Sequence, residues 1–200
     1  LTGLTADVTT AIADPSQADD ASLLAASGRR QHAAFAELVN RHYRPVYRLV
    51  WRMTGGHADS EDIAQEAFLK LWRDPSQVRE ARALKGWLMR VASNAVIDRS
   101  RKPRHADIDV ALEVSDPAAR TDQALDRSEA AALVDQGIAA LPERQRLALS
   151  LVYFEGLSNI EAAEVMETSV EAVESLLGRA KRGLRLVLAD RWRELLDGLA

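Results

Sequence analysis

Residues 59 to 73, Asp-Ser-Glu-Asp-Ile-Ala-Gln-Glu-Ala-Phe-Leu-Lys-Leu-Trp-Arg, carry two opposed surfaces on one stretch of chain. At about 100° per residue, Ile63, Ala64, Ala67, Phe68 and Leu71 share one stripe, while Asp62, Gln65, Glu66, Leu69 and Arg73 collect on the other side. A helix of this kind must bury its first surface in a core. Its second surface strands Leu69 among carboxylates and an amide. That surface reads either as a solvated face with one stray leucine or as a docking face on which polar groups orient a partner and Leu69 anchors it.

The rest of the chain is equally helical in character. Six prolines and ten glycines punctuate 200 residues, 47% of which are hydrophobic and 28% charged, which describes a globular chain rather than a disordered one. Ala, Leu, Glu and Arg dominate between the breakers and strand patterns are absent, so the expected fold class is all-α. The absence of cysteine removes disulfides, thiolate metal sites and cysteine nucleophiles, and is compatible with a cytoplasmic location. His32, His42, His57 and His105 lack ligand spacing, so no metal site is expected. No phosphate-cradling loop or nucleophile motif appears, and no catalytic residue, cofactor or small-molecule substrate is assigned. Residues 1 to 20 lack a signal-peptide pattern, and no apolar run reaches membrane-spanning length, so no membrane insertion is expected.

Punctuation divides the chain into an expected mobile leader (1–20), a first helical domain (21–104), a flexible acidic linker (105–124) and a second helical domain (125–200). In the first domain a short helix lies near Leu23. A long one carries Phe35, Leu38, Val39, Val46, Leu49, Val50 and Met53, is interrupted or kinked near Pro45, and ends at Gly55-Gly56. After the acidic helix and a loop at Asp74-Pro75, another helix runs from Leu84 to Arg101, with Pro103 closing it. In the second domain Pro142 suits a first helical turn. Ser158 with Glu161 forms a capping-box pattern opening a helix to Met166, and Thr168 with Glu171 offers another. Two capped helices around one tight turn are the organisation of a helix-turn-helix.

A net charge of −4 conceals a basic run, residues 79 to 104, with Arg79, Arg82, Lys85, Arg90, Arg99, Arg101, Lys102 and Arg104 against only Glu80 and Asp98. On the Leu84 to Arg101 helix, Leu84, Leu88, Val91 and Ala95 are expected to face inward, with Trp87, Arg90, Asn94 and Arg101 on a neighbouring face. Cations suit phosphates, an indole can stack on an unpaired base, and an Asn offers a donor and an acceptor to a base edge. The alternative is a packed Trp87 beside solvated arginines.

The acidic helix resembles the polymerase-binding segment of bacterial sigma factors of the small two-domain extracytoplasmic-function type, and the likeness continues over about residues 20 to 190. The resemblance implies docking on core RNA polymerase through Asp62, Gln65, Glu66 and Leu69. Gly-Trp-Leu-Met-Arg-Val-Ala-Ser-Asn-Ala-Val-Ile-Asp-Arg-Ser-Arg (86 to 101) is similar to the segment that opens and reads the minus-ten promoter element, with Arg90, Asn94, Asp98, Arg99 and Arg101 matching residue by residue. In such proteins the preceding loop, here within Asp74 to Ala83, holds a flipped-out base. Residues 141 to 146, 153 to 158 and 179 to 185 resemble the minus-thirty-five-binding domain. The family also implies an anti-sigma factor as a partner.

The resemblance has two departures. Glu167 stands where the family commonly places a turn glycine, which demands an unfavourable backbone conformation or a different turn. The recognition helix begins Val170-Glu171-Ala172-Val173-Glu174-Ser175, more acidic than usual, which weighs against base contacts by Ser169, Ala172 and Ser175 and leaves phosphate contacts to Arg179, Lys181 and Arg182. The expected function is a sigma factor. Competing readings are a sigma-like decoy that sequesters an anti-sigma factor, a helix-turn-helix repressor and, weakest, an enzyme.

Overall fold

In a computed structural model the chain is described over residues 14–101 and 134–197, with side chains described up to residue 189. The described residues are helices and connecting turns, without a strand. The expected linker, 105–124, lies outside them, as do Pro103 and residues 1–13.

The first unit contains α1 (Asp20–Gly28), α2 (His32–Thr54), α3 (Ser60–Arg73) and α4 (Leu84–Arg101). Contacts of α2 with α1, α3 and α4 make it the centre of this unit. Its apolar face supplies Leu38, Val46, Leu49 and Val50, all fully buried. The helix is not interrupted at Pro45, which lies inside it. An internal proline costs about 3 kcal/mol. Burial of several large side chains at about 1.5–3 kcal/mol each outweighs that, so both halves stay in the core.

The leader expectation needs correction only at residues 14–20, the part of it that is described. Residues Pro15–Gln17 form a 3₁₀ turn capped by Asp14, and Asp19 caps α1 by accepting from the Ser22 N–H. Arg41 of α2 holds this segment, donating to the carbonyls of Ser16 (2.8 Å) and Ala18 (2.8 Å) while pairing with Asp20 (3.1 Å) and Glu37 (2.7 Å). The segment before α1 is therefore tied to the core by a multidentate guanidinium.

The second unit begins with α5 (residues 134–139), followed by α6 (Glu143–Leu149), a π-helical turn (Ser150–Phe154), α7 (Asn159–Val165) and α8 (Val170–Asp197). Pro142 caps α6 from just outside rather than occupying its first turn. Ile138, Leu147, Leu151, Ala162, Val173 and Ala180 form its interior. The units touch: α4 packs on α7 and α2 packs on α6.

Candidate docking and nucleic-acid interfaces

Helix α3 is built as its pattern demands. Ile63, Ala64, Ala67, Phe68 and Leu71 are buried, whereas Leu69 is 50% exposed. Asp62 and Gln65 are exposed beside it and Glu66 is half-buried. Acidic Glu61 and Asp62 in the first turn and basic Lys70 and Arg73 in the last complement the helix dipole. The Arg30 guanidinium donates to the Trp72 carbonyl at 2.7 Å, fixing the C-terminal end. A rigid helix thus presents one apolar side chain within a polar frame.

Helix α4 departs from the expected stripe. Leu84 and Leu88 are buried, but Val91 and Ala95 are only partly so, and the remaining buried positions are Trp87, Met89, Ala92, Ser93 and Val96. The reason is that α4 is covered twice, by α2 and α3 on one side and α7 on another. Trp87 is only 7% exposed, so its indole offers no open face to a base in this arrangement. Asn94, Asp98 and Arg101 are exposed, and Arg90 and Arg99 are intermediate. Arg99 turns toward α3, 3.6 Å from Glu66 and 3.7 Å from Asp59. Arg90 lies 3.6 Å from Glu167 of the second unit. At these exposures such pairs contribute about 0–1 kcal/mol, so either arginine can exchange its carboxylate for a phosphate.

The loop between α3 and α4 closes against α1. Leu24, Ala25 and Gly28 of α1 face Pro75, Val78 and Ala81 across a shallow, mainly apolar cleft of about 350 Å³, with Arg79 in its wall. The Asp74 carboxylate accepts from the Ser76 and Gln77 side chains and the Ser76 N–H, which hold it below the ordinary carboxylate range. This cleft coincides with the loop singled out in the sequence.

In the second unit the Ser158 and Glu161 box forms: the Glu161 carboxylate accepts from the Ser158 N–H at 2.7 Å and the Ser158 hydroxyl accepts from the Glu161 N–H at 3.2 Å. Bonds from the Ser158 N–H, then its hydroxyl, lower the Glu161 pKa. The second expected box does not form, and a simple cap stands one residue later. Ser169, not Thr168, caps α8, accepting from the Ala172 N–H at 3.2 Å, while Thr168 still closes α7, its N–H donating to the Ala163 carbonyl. Glu167 takes φ 49°, the left-handed conformation that its place in the turn requires. Ser169, Ser175, Arg179, Lys181 and Arg182 are exposed and Ala172 is partly buried. Ser175 accepts from Arg179 at 2.9 Å, and Lys181 stands over the Tyr153 ring at 4.9 Å. The exposed Glu171 and Glu174 share this surface.

Sequence reasoning missed the residues that join the units: Arg48 and Arg52 on α2, Lys85 on α4, Arg146 on α6, and Glu155. The available signals were an i, i+4 pair of cations on α2 and a lone carboxylate after the apolar run 147–154. Among the described residues, no group of three His, Asp or Glu side chains is placed to hold a metal ion, and no helix is long and apolar enough to cross a membrane.

Comparison with known proteins agrees with this layout. The Sigma-70 region 2 family matches residues 38–105 and the Sigma-70 region 4 family matches residues 131–184. The chain is similar to the ECF RNA polymerase sigma factor SigW of Bacillus subtilis, with 31% identity over 168 residues, 78% of this chain and 90% of the relative. It is 33% identical to the RNA polymerase sigma-H factor of Pseudomonas aeruginosa over 189 residues, covering 89% of this chain and 98% of the relative. Among solved structures, CnrH in complex with the cytosolic domain of CnrY superposes with a TM-score of 0.64 at 25% identity, covering 86% of this chain and 97% of that one. The sigma factor RpoE in complex with the anti-sigma factor NepR from Bartonella quintana shares the fold, with a TM-score of 0.63 at 20% identity and coverage of 78% and 96%. The region 2 match contains both α3 and α4, the region 4 match contains the helix-turn-helix, and the chain belongs to the extracytoplasmic-function family of RNA polymerase sigma factors.

Proposed function

We propose that the chain docks on core RNA polymerase through Asp62, Gln65, Glu66 and Leu69 and carries it to promoters that the two units read separately. The half-exposed Leu69, framed by polar side chains on a helix whose other face is wholly core, carries this reading. Arg90, Asn94, Asp98, Arg99 and Arg101 serve the minus-ten element, with Trp87 supporting them from within the core. The cleft between α1 and the Asp74 to Ala83 loop has an apolar floor and a cationic wall, which suits an unstacked base and its phosphate. Arg179, Lys181 and Arg182 contact minus-thirty-five phosphates, while the exposed Glu171 and Glu174 weigh against base contacts by Ser169, Ala172 and Ser175. An anti-sigma factor is the regulatory partner, as the structural relative RpoE was solved in complex with the anti-sigma factor NepR.

Run-off transcription with core polymerase on a promoter library tests the reading. A sigma factor yields discrete start sites that neither component yields alone, whereas a decoy or a repressor yields none. Asn94→Ala should leave polymerase association intact and lower permanganate reactivity of promoter thymines. Unchanged reactivity would remove Asn94 from the melting surface.

A further inference from the structure

The first turns of α8 carry carboxylates on the side that a helix-turn-helix offers to a duplex, and their hydrogen bonds separate the engaged side chains from the free one. Val173, Leu177 and Ala180 are buried, so the solvent side of the helix opens on Ser169, Glu171, Glu174 and Ser175. Three of these four are engaged. The Ser169 hydroxyl caps the helix, accepting from the Ala172 N–H at 3.2 Å. Glu171 is drawn back to the same end: its carboxylate accepts from its own backbone N–H and from the Ser169 hydroxyl, which hold it below the ordinary carboxylate range. The Ser175 hydroxyl is tied to Arg179, accepting from its Nη2 at 2.9 Å. Glu174 makes no hydrogen bond or ion pair among the described residues.

The helix surface keeps Glu174 within reach of a base pair. Residues at i, i+4 and i+7 share a row along a helix, and the row that starts at Glu174 continues with Gly178 and Lys181. A Cβ at Gly178 would meet only Arg182 Nη1 within 4 Å, at 3.8 Å. The missing side chain leaves the surface beside Glu174 bare and lets the Arg182 guanidinium lie back along the helix. Arg179, Lys181 and Arg182 follow Glu174 by roughly 8–12 Å along the axis, which places cations for the flanking phosphates without pairing the carboxylate itself.

A free carboxylate in a major groove has few partners. Phosphates and the N7, O6 and O4 atoms of the bases are acceptors and repel it, so only the amines of adenine and cytosine attract it. The adenine amine stands beside N7, which opposes the second carboxylate oxygen. The cytosine amine has no acceptor next to it on its major-groove edge.

We propose that Glu174 is the base-reading residue of the second unit and that it selects cytosine, whose amine it accepts from, at one position of the minus-thirty-five element. The acidic start of α8, which weighs against base contacts by its serines, is then the source of its sequence preference. This inference rests on the sigma reading.

The test uses core polymerase with the full chain and a promoter library randomised only in the minus-thirty-five element, each template marked by a barcode in its transcribed part. Sequencing of run-off products should show wild-type protein favouring cytosine at one position by about fivefold or more over each other base. Glu174→Gln should move the preference at that position to adenine, because an amide pairs with N6 and N7 together. Glu174→Ala should level it, with the other positions unchanged. Glu171→Gln should keep cytosine preferred, since that carboxylate serves the helix end. Helix content and polymerase pull-down should match wild type in all three variants, whose altered side chains are exposed. Retention of the wild-type preference by both Glu174 variants, a base other than cytosine at the position they alter, or a move to adenine in Glu171→Gln instead overturns the assignment. Discrete start sites with no minus-thirty-five preference in the wild type overturn it too and leave the sigma reading standing. Absence of discrete start sites on every template overturns the sigma reading and this inference with it.

Discussion

Helices α3 and α4 lie side by side in one unit, share its core, and treat their outer faces in opposite ways. The outer face of α3 is open, with Leu69 in solvent and Asp62 and Gln65 around it. The basic face of α4 is partly covered, with Trp87 buried and Arg90 drawn toward another unit. An exposed apolar anchor costs little when it is single. A face rich in cations can instead be held by any carboxylate presented to it, including one of the same chain. The difference lies in cover: the outer face of α3 is open as it stands, whereas α4 carries α7 of the second unit.

The comparison breaks most severely if the shared core is opened. Leu88 is fully buried in α4, so Leu88→Ala should cost about 2–5 kcal/mol in urea unfolding and weaken polymerase and promoter binding together. Leu69→Ala should separate the two functions. Truncation of a central apolar anchor should cost about 1–3 kcal/mol of polymerase affinity. Stability should change by less than about 0.5 kcal/mol, because the side chain is half in water already. A Leu69→Ala protein that binds polymerase as wild type does, or one that unfolds as Leu88→Ala does, would remove the division between the faces.

Asp62→Lys sharpens the same contrast electrostatically. It should reduce polymerase affinity by roughly 1 kcal/mol at low ionic strength, and the deficit should shrink as salt rises, since an exposed charge is screened over about 10 Å at 0.1 M. Titrations at two salt concentrations measure this. A deficit independent of salt would mean that the substitution acts by deforming α3 rather than by charge.

What the sequence made legible follows from how many neighbours each helix has. On α3 the apolar stripe was readable residue by residue, because one side meets the core and the other meets water, which produces a clean 3.6-residue period. On α4 the same reasoning placed Val91 and Ala95 inward and left Trp87 between a neighbouring face and the core, and the second cover from α7 changed the result. That cover is made by residues far along the chain, and periodicity carries no trace of it. Glu155 and Arg48 are 107 positions apart, so their pairing had no local signature. Pro45 misled in another way: its local cost was visible and the tertiary burial that outweighs it was not. The α8 cap falls on Ser169 rather than Thr168, a difference of one residue that the closed turn decides: Thr168 still belongs to the end of α7, its N–H donating to the Ala163 carbonyl.

The smallest expected effect concerns Glu167, at the seam between the two units and at the turn of the helix-turn-helix. Its φ of 49° places a side chain in the left-handed region, at a cost of roughly 1–2 kcal/mol relative to the right-handed one. Glycine removes that cost but loses more freedom on folding, roughly 0.5–1 kcal/mol, so Glu167→Gly should stabilise the chain by about 0.5 kcal/mol. The substitution also removes the ion pair with Arg90, which contributes little, since the Glu167 side chain is 66% exposed and the charged groups are 3.6 Å apart. Glu167→Ala separates the backbone from the charge, for it removes the carboxylate and keeps the left-handed penalty. Thermal or urea unfolding should therefore rank glycine above alanine, with alanine near wild type. If alanine gains as much as glycine, the relevant property of Glu167 is its charge beside the α8 carboxylates, and the backbone account of this turn is wrong.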